Sequence, residues 1–182
     1  MKTLQLFAAL LIILLTTPAP APASSGLDQL LTCFAYEAGD GGPRDFTKAA
    51  QCFQREAEQG MAGAQTILGI KYRLGEGLPR DYAKAVYWFQ KAADQQDSTA
   101  QLNLGLMHAQ GQGVSQDDFK AAQWVEKAAD QGHAEAQFAL ALMHATGRGV
   151  ARDQYKFCGL LRASAEQGHQ DALEGFNTFC SE

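Results

Sequence analysis

Apolar residues recur along this chain at helical spacing, and the pattern itself recurs. In Ala64-Gln65-Thr66-Ile67-Leu68-Gly69-Ile70-Lys71-Tyr72 they fall at the three- and four-residue intervals of a helix. A second stripe follows: Ala85, Trp88, Phe89, Ala92 and Ala93. Between the two, Gly75 and Gly77 read as a helix stop, because glycine takes the left-handed C′ conformation at little cost. Asp81 stands where an N-cap accepts a hydrogen bond from a free helical N–H. The whole figure then returns. Ala64-Gln65-x-x-Leu68-Gly69 comes back as Ala100-Gln101-x-x-Leu104-Gly105 and as Ala136-Gln137-x-x-Leu140-Ala141, a step of 36 residues each time. Gly75-x-Gly77-Leu78-x-x-Asp81 keeps the same step at Gly111-x-Gly113-Val114-x-x-Asp117 and Gly147-x-Gly149-Val150-x-x-Asp153. A fixed period of this length predicts a stack of helix–turn–helix units, none of which can bury its apolar faces alone. Gly69 and Ala92 are small and let two helices approach; the Trp88 ring is expected to pack over Gly69.

These residues resemble the Sel-one-like repeat, a relative of the tetratricopeptide repeat. The likeness is carried by the Ala, Leu-Gly, Tyr, Gly-x-Gly and Asp positions, with Lys84, Ala85, Trp88, Lys91, Ala92 and Ala93. Ala100 to Gly132 repeats it with Lys120, Trp124 and Lys127, whereas Ala136 to Gly168 departs at Phe157 and Leu160. The resulting expectation is all-α: a right-handed α-solenoid of about four units at 28–63, 64–99, 100–135 and 136–171, with a cap at 172–182. The first unit is degenerate, and terminal units of a stack are expected to depart from consensus.

Residues 1–23 read as a secretory signal. Lys2 gives the basic start, the apolar run at 4–15 is too short to span a membrane, and Ala21-Pro22-Ala23 offers a cleavage site. An uncleaved anchor is the alternative. The remaining residues, 24–182, suit one repeat domain. Without Lys2 the chain carries 14 basic against 20 acidic residues. Such a balance, with no basic stripe, argues against nucleic acid and anionic lipid as partners.

The four cysteines lie in the terminal units and allow three pairings. Cys33 holds the phase of Gly69 and Cys52 that of Trp88. Cys180 holds the phase of Tyr72, and Cys158 that of Val86 and Ala122. Cys33 and Cys158 fall three units apart, on the order of 25–30 Å at ordinary helix separations, beyond disulfide reach. The expected bridges are Cys33–Cys52 and Cys158–Cys180, in keeping with an oxidising, periplasmic or secreted setting. No C-x-x-C occurs, so no metal or other cofactor is expected. His108 and His144 hold the Tyr72 phase and read as packing residues, while His133 and His169 read as solvated. There is no G-x-S-x-G and no S-x-x-K, so catalysis is not expected.

The resemblance implies a monomeric protein-binding scaffold or adaptor whose concave face is lined by the first helix of each unit. Residues on either side of Gly69 and its repeats then form the partner surface: Thr66, Ile70, Leu102, Leu106, Phe138 and Leu142. Leu30 and Phe34 continue it, and Arg73 and Gln110 lie at its margin. The alternative is that curvature buries this stripe. Cysteine-rich relatives also suggest a hydrolase of cell-wall or β-lactam material, and a third reading is an accessory part of an envelope or flagellar complex.

Overall fold

The computed structural model describes residues 26–180; the 1–23 reading therefore lies outside the described residues. Among the described residues there are nine helices and no strands. They are α1 (Gly26–Ala38), α2 (Phe46–Glu58), α3 (Ala62–Leu74), α4 (Tyr82–Ala93), α5 (Ser98–Gln110), α6 (Asp118–Asp130), α7 (Ala134–Thr146), α8 (Gln154–Glu166) and α9 (Gln170–Phe179). The first helices begin at positions 26, 62, 98, 134 and 170, so the sequence period is also the structural one. Each helix packs on its neighbours in the chain, which makes the fold an all-α repeat solenoid.

The turn chemistry explains the invariant spacing within the chain. Helices α3, α5 and α7 each end at a left-handed glycine, Gly75, Gly111 and Gly147. The next helix starts on an aspartate. Asp45, Asp81, Asp117 and Asp153 accept from the backbone N–H of Lys48, Lys84, Lys120 and Lys156 at 2.9, 3.0, 2.9 and 3.0 Å. This bond holds the Asp45 and Asp117 carboxyls below their usual pKa. The second glycine of each pair answers a different need. A β-carbon on Gly77, Gly113 or Gly149 would overlap the carbonyl of Phe46, Tyr82 or Asp118, at the start of the second helix one unit earlier.

Glutamines tie one unit to the next. Within each unit the Nε2 group of Gln95, Gln131 or Gln167 donates to Oε1 of Gln65, Gln101 or Gln137, at 2.8, 2.7 and 2.8 Å. Gln65, Gln101 and Gln137 donate in turn across the junction to the carbonyls of Ala57, Ala93 and Ala129 in the preceding unit. The buried amides are thus satisfied across every interior junction, at the same separation each time.

The core runs along the stack, with Phe53, Leu68, Phe89, Leu104, Met107 and Leu161 fully enclosed. Both expected disulfides are present, Cys33–Cys52 and Cys158–Cys180, with α-carbons 5.4 and 5.6 Å apart. Two local expectations are corrected. The ring over Gly69 is that of Phe89, one residue beyond Trp88, and the side chain over Gly105 is that of Val125. His133 and His169 are not simply solvated. Each is half-buried and N-caps a helix, accepting at Nδ1 from Ala136 and Ala172, where the preceding unit uses Asp97.

Candidate interaction face

The expected partner residues separate into two series one helical turn apart. Phe34, Ile70, Leu106 and Leu142 share one phase and reach the surface. Leu142 is 46% exposed and Phe34 43%, while Ile70 and Leu106 are half-buried. Leu30, Thr66, Leu102 and Phe138 share the other phase and turn inward. Thr66 and Leu102 are only 4% and 3% exposed, so neither is available to a partner. The reason is packing: Leu102 joins Ala121, Val125 and Leu140 in the core of the third and fourth units. Phe138 is half-buried and stacks on His169 with ring centroids 4.6 Å apart, which seats it in the junction with α9.

Between α5 and α7, floored by α6, lies a cavity of about 290 Å³. Gly105, Leu106 and Ala109 of α5 and Ala139, Leu142, Met143 and Thr146 of α7 line its walls, and Ala121 and Val125 of α6 its floor. Arg148 stands at the margin. Its Nε donates to Asp118 Oδ1 at 2.9 Å and its Nη2 to the Ala109 carbonyl at 2.5 Å. The Asp118 bond raises the Arg148 pKa further. Arg152 donates from Nε to the Thr146 carbonyl at 3.1 Å. The small residues Ala109, Val125 and Ala139 were not singled out in the sequence. Their signal is departure from the protein's own repeat, which has Arg73, Phe89 and Asn103 in the same phases one unit earlier.

Several buried polar groups are engaged in structural contacts. His144 is buried with Nδ1 3.0 Å from the Ala151 carbonyl. Ser164 donates to the Ala134 carbonyl at 2.7 Å. Lys71 is almost fully buried and pairs with Glu37 of the first unit. Burial lowers the Lys71 pKa, and the Glu76 carboxylate opposes that shift. Among the described residues no group of three His, Cys, Asp or Glu side chains could hold a metal ion. No described helix is long and apolar enough to cross a membrane.

A solenoid of capped helix pairs stepping by 36 residues defines a helical repeat protein. The family model for the Sel1 repeat matches residues 29–61, 62–97, 98–133 and 134–169, and the chain belongs to the Sel1 repeat family. Members of that family are generally protein–protein interaction scaffolds and mostly non-catalytic. Among solved structures, the chain is similar to c5321, a protective antigen of uropathogenic Escherichia coli displaying an SLR fold. Identity is 37% and TM-score 0.78, over 82% of this chain and 32% of that one. A Sel1 repeat protein of Oxalobacter formigenes shares 29% identity at TM-score 0.78, over 83% and 60%. Cysteine rich protein B of Helicobacter pylori shares the fold at 21% identity and TM-score 0.58, over 72% and 94%. The chain thus spans about a third and three-fifths of the first two structures. No curated protein matches it.

Proposed function

We propose that this protein is a non-catalytic scaffold, periplasmic or secreted, that holds another protein or a peptide on the face formed by its first helices. The observation that carries this reading is the row Phe34, Ile70, Leu106 and Leu142. One apolar side chain per unit is left partly open at a fixed repeat along a rigid stack. Two disulfides at the ends of the chain support an oxidising compartment. The sequence of residues 1–23 supports export by the same route. The acidic balance of the chain disfavours nucleic acid. A hydrolase would need a nucleophile with a base in reach, and the described serine and histidine contacts supply packing and capping partners instead. Membership of an envelope or flagellar complex is one form the scaffold role can take.

Site-specific photo-crosslinking tests the reading. A benzophenone side chain at position 70, 106 or 142 is expected to trap a discrete partner from envelope extract. At Phe119 or Tyr155, which are exposed on the second helices, it should trap none. The double variant Leu106→Gln, Leu142→Gln should lose the partner while keeping its melting curve. Trapping at 119 and 155 alone, or undiminished capture by the folded double variant, overturns the assignment of the face.

A further inference from the structure

We infer that the cavity between the third and fourth units receives an apolar side chain of a peptide that carries a carboxylate within a residue or two of it. This rests on the scaffold reading above and adds the chemistry of what is held. The cavity arises because this junction departs from the one before it. In the phases of Ala109, Val125, Ala139 and Thr146, the preceding junction has Arg73, Phe89, Asn103 and Gln110. There the Phe89 ring lies over Gly69; here the smaller Val125 lies over Gly105, and both residues line the recess. A continuous scaffold would need no such change, and its product is an apolar recess with Leu142 at the lip, 46% exposed.

The volume, about 290 Å³, is at the lower end for small-molecule pockets and suits one or two side chains rather than a folded element. Arginines supply the second half of the recognition: Arg148 lines the recess, and Arg152 lies next to it, bonded to the lining residue Thr146. Each is anchored to a carbonyl near the C-terminal end of a lining helix, Ala109 of α5 and Thr146 of α7. Arg148 is shared with Asp118, whereas Arg152 has no carboxylate within salt-bridge reach among the described residues. A guanidinium held in this way keeps N–H donors for a carboxylate. The other end of these units, where second helices hand over to first ones, carries Asp94, Asp97, Asp130 and Glu135 against Lys91 and Lys127, and its net negative charge disfavours an acidic chain. Charge and shape therefore select the same occupant at the same end.

Panning a displayed library of random heptapeptides on the full-length protein tests this. Selected sequences are expected to place Leu, Ile, Met or Phe within two positions of Asp or Glu. A labelled selected peptide, followed by fluorescence polarisation, should lose at least about tenfold in affinity to Ala139→Leu, which fills the recess. It should lose at least about fivefold to Arg152→Glu. If Ala139→Leu lowers the melting temperature, Leu142→Asp at the exposed lip replaces it, with the same loss expected. Selected peptides without the apolar–acidic pattern, or with unchanged affinity for the folded variants, overturn the inference. A partner trapped at position 106 but indifferent to Arg152→Glu and Ala139→Leu overturns it while leaving the scaffold reading standing. Absence of any trapped partner on the first-helix face removes the scaffold reading first.

Discussion

Gln96 stands in left-handed backbone at φ 66°, where the matching residues of the other units are Gly60, Gly132 and Gly168. A side chain there meets the steric cost that favours glycine, of order 1–2 kcal/mol, offset in part by the greater freedom glycine restores to the unfolded chain. Gln96→Gly is therefore expected to raise stability by about 0.5–1 kcal/mol, read as a higher urea midpoint; an unchanged or lower midpoint would show that the glutamine makes compensating contacts. At this scale the sequence was readable wherever a residue type has one dominant use. Asp45, Asp81, Asp117 and Asp153 were legible as caps because a short carboxylate before a helix has few other roles. His133 and His169 were not, since histidine is no habitual N-cap. Only their shared phase with Asp97 carried the information. Phe89 was overlooked over Gly69 because Trp88 is larger and adjacent, and pattern alone does not say which of two neighbouring rings turns inward.

Among the helices, the junction of the first and second units is held by the pair Glu37 and Lys71, whereas the same phases two units later are Ala109 and Met143. The Lys71 side chain is 3% exposed and that of Glu37 25%. Removing one member leaves a buried charge, so Glu37→Ala alone should cost about 2–4 kcal/mol. Replacing both, Glu37→Ala with Lys71→Met, copies the later junction and should recover most of that loss. Chemical denaturation of the single and double variants measures the coupling; a double variant no more stable than the single would refute it. Where one helix gives way to the next was legible, because a glycine stop and an aspartate start bracket the turn between the two helices of each unit. Which apolar phase faces outward was not. Positions 66 and 70 both lie on the apolar side of α3, and the choice between them depends on how far each unit rotates on the last. That rotation is set by packing around Phe89, Val125 and Leu102, not by the period.

Taken as one object, the solenoid is covalently tied only at its two ends, by loops closed across 19 and 22 positions. Each bridge should contribute roughly 3 kcal/mol by the chain-entropy estimate. Reduction is expected to lower the melting temperature and to speed amide exchange in α1, α2, α8 and α9, the helices the bridges join, well before α4 and α5. Uniform loss of protection along the chain would contradict that order. The pairing was legible because a repeat converts sequence separation into distance. The interior junctions rely instead on the glutamine link: each first-helix glutamine donates to a carbonyl eight positions back in the preceding unit and is held by a glutamine 30 positions ahead in its own, which asks nothing of the residues lining the cavity. Two kinds of change are therefore open to the lineage independently. Whole units can be duplicated or lost in frame, each newcomer arriving with both halves of its amide connector. Meanwhile Ala109, Val125 and Ala139 can drift, altering what is recognised while the length and continuity of the rod are inherited intact.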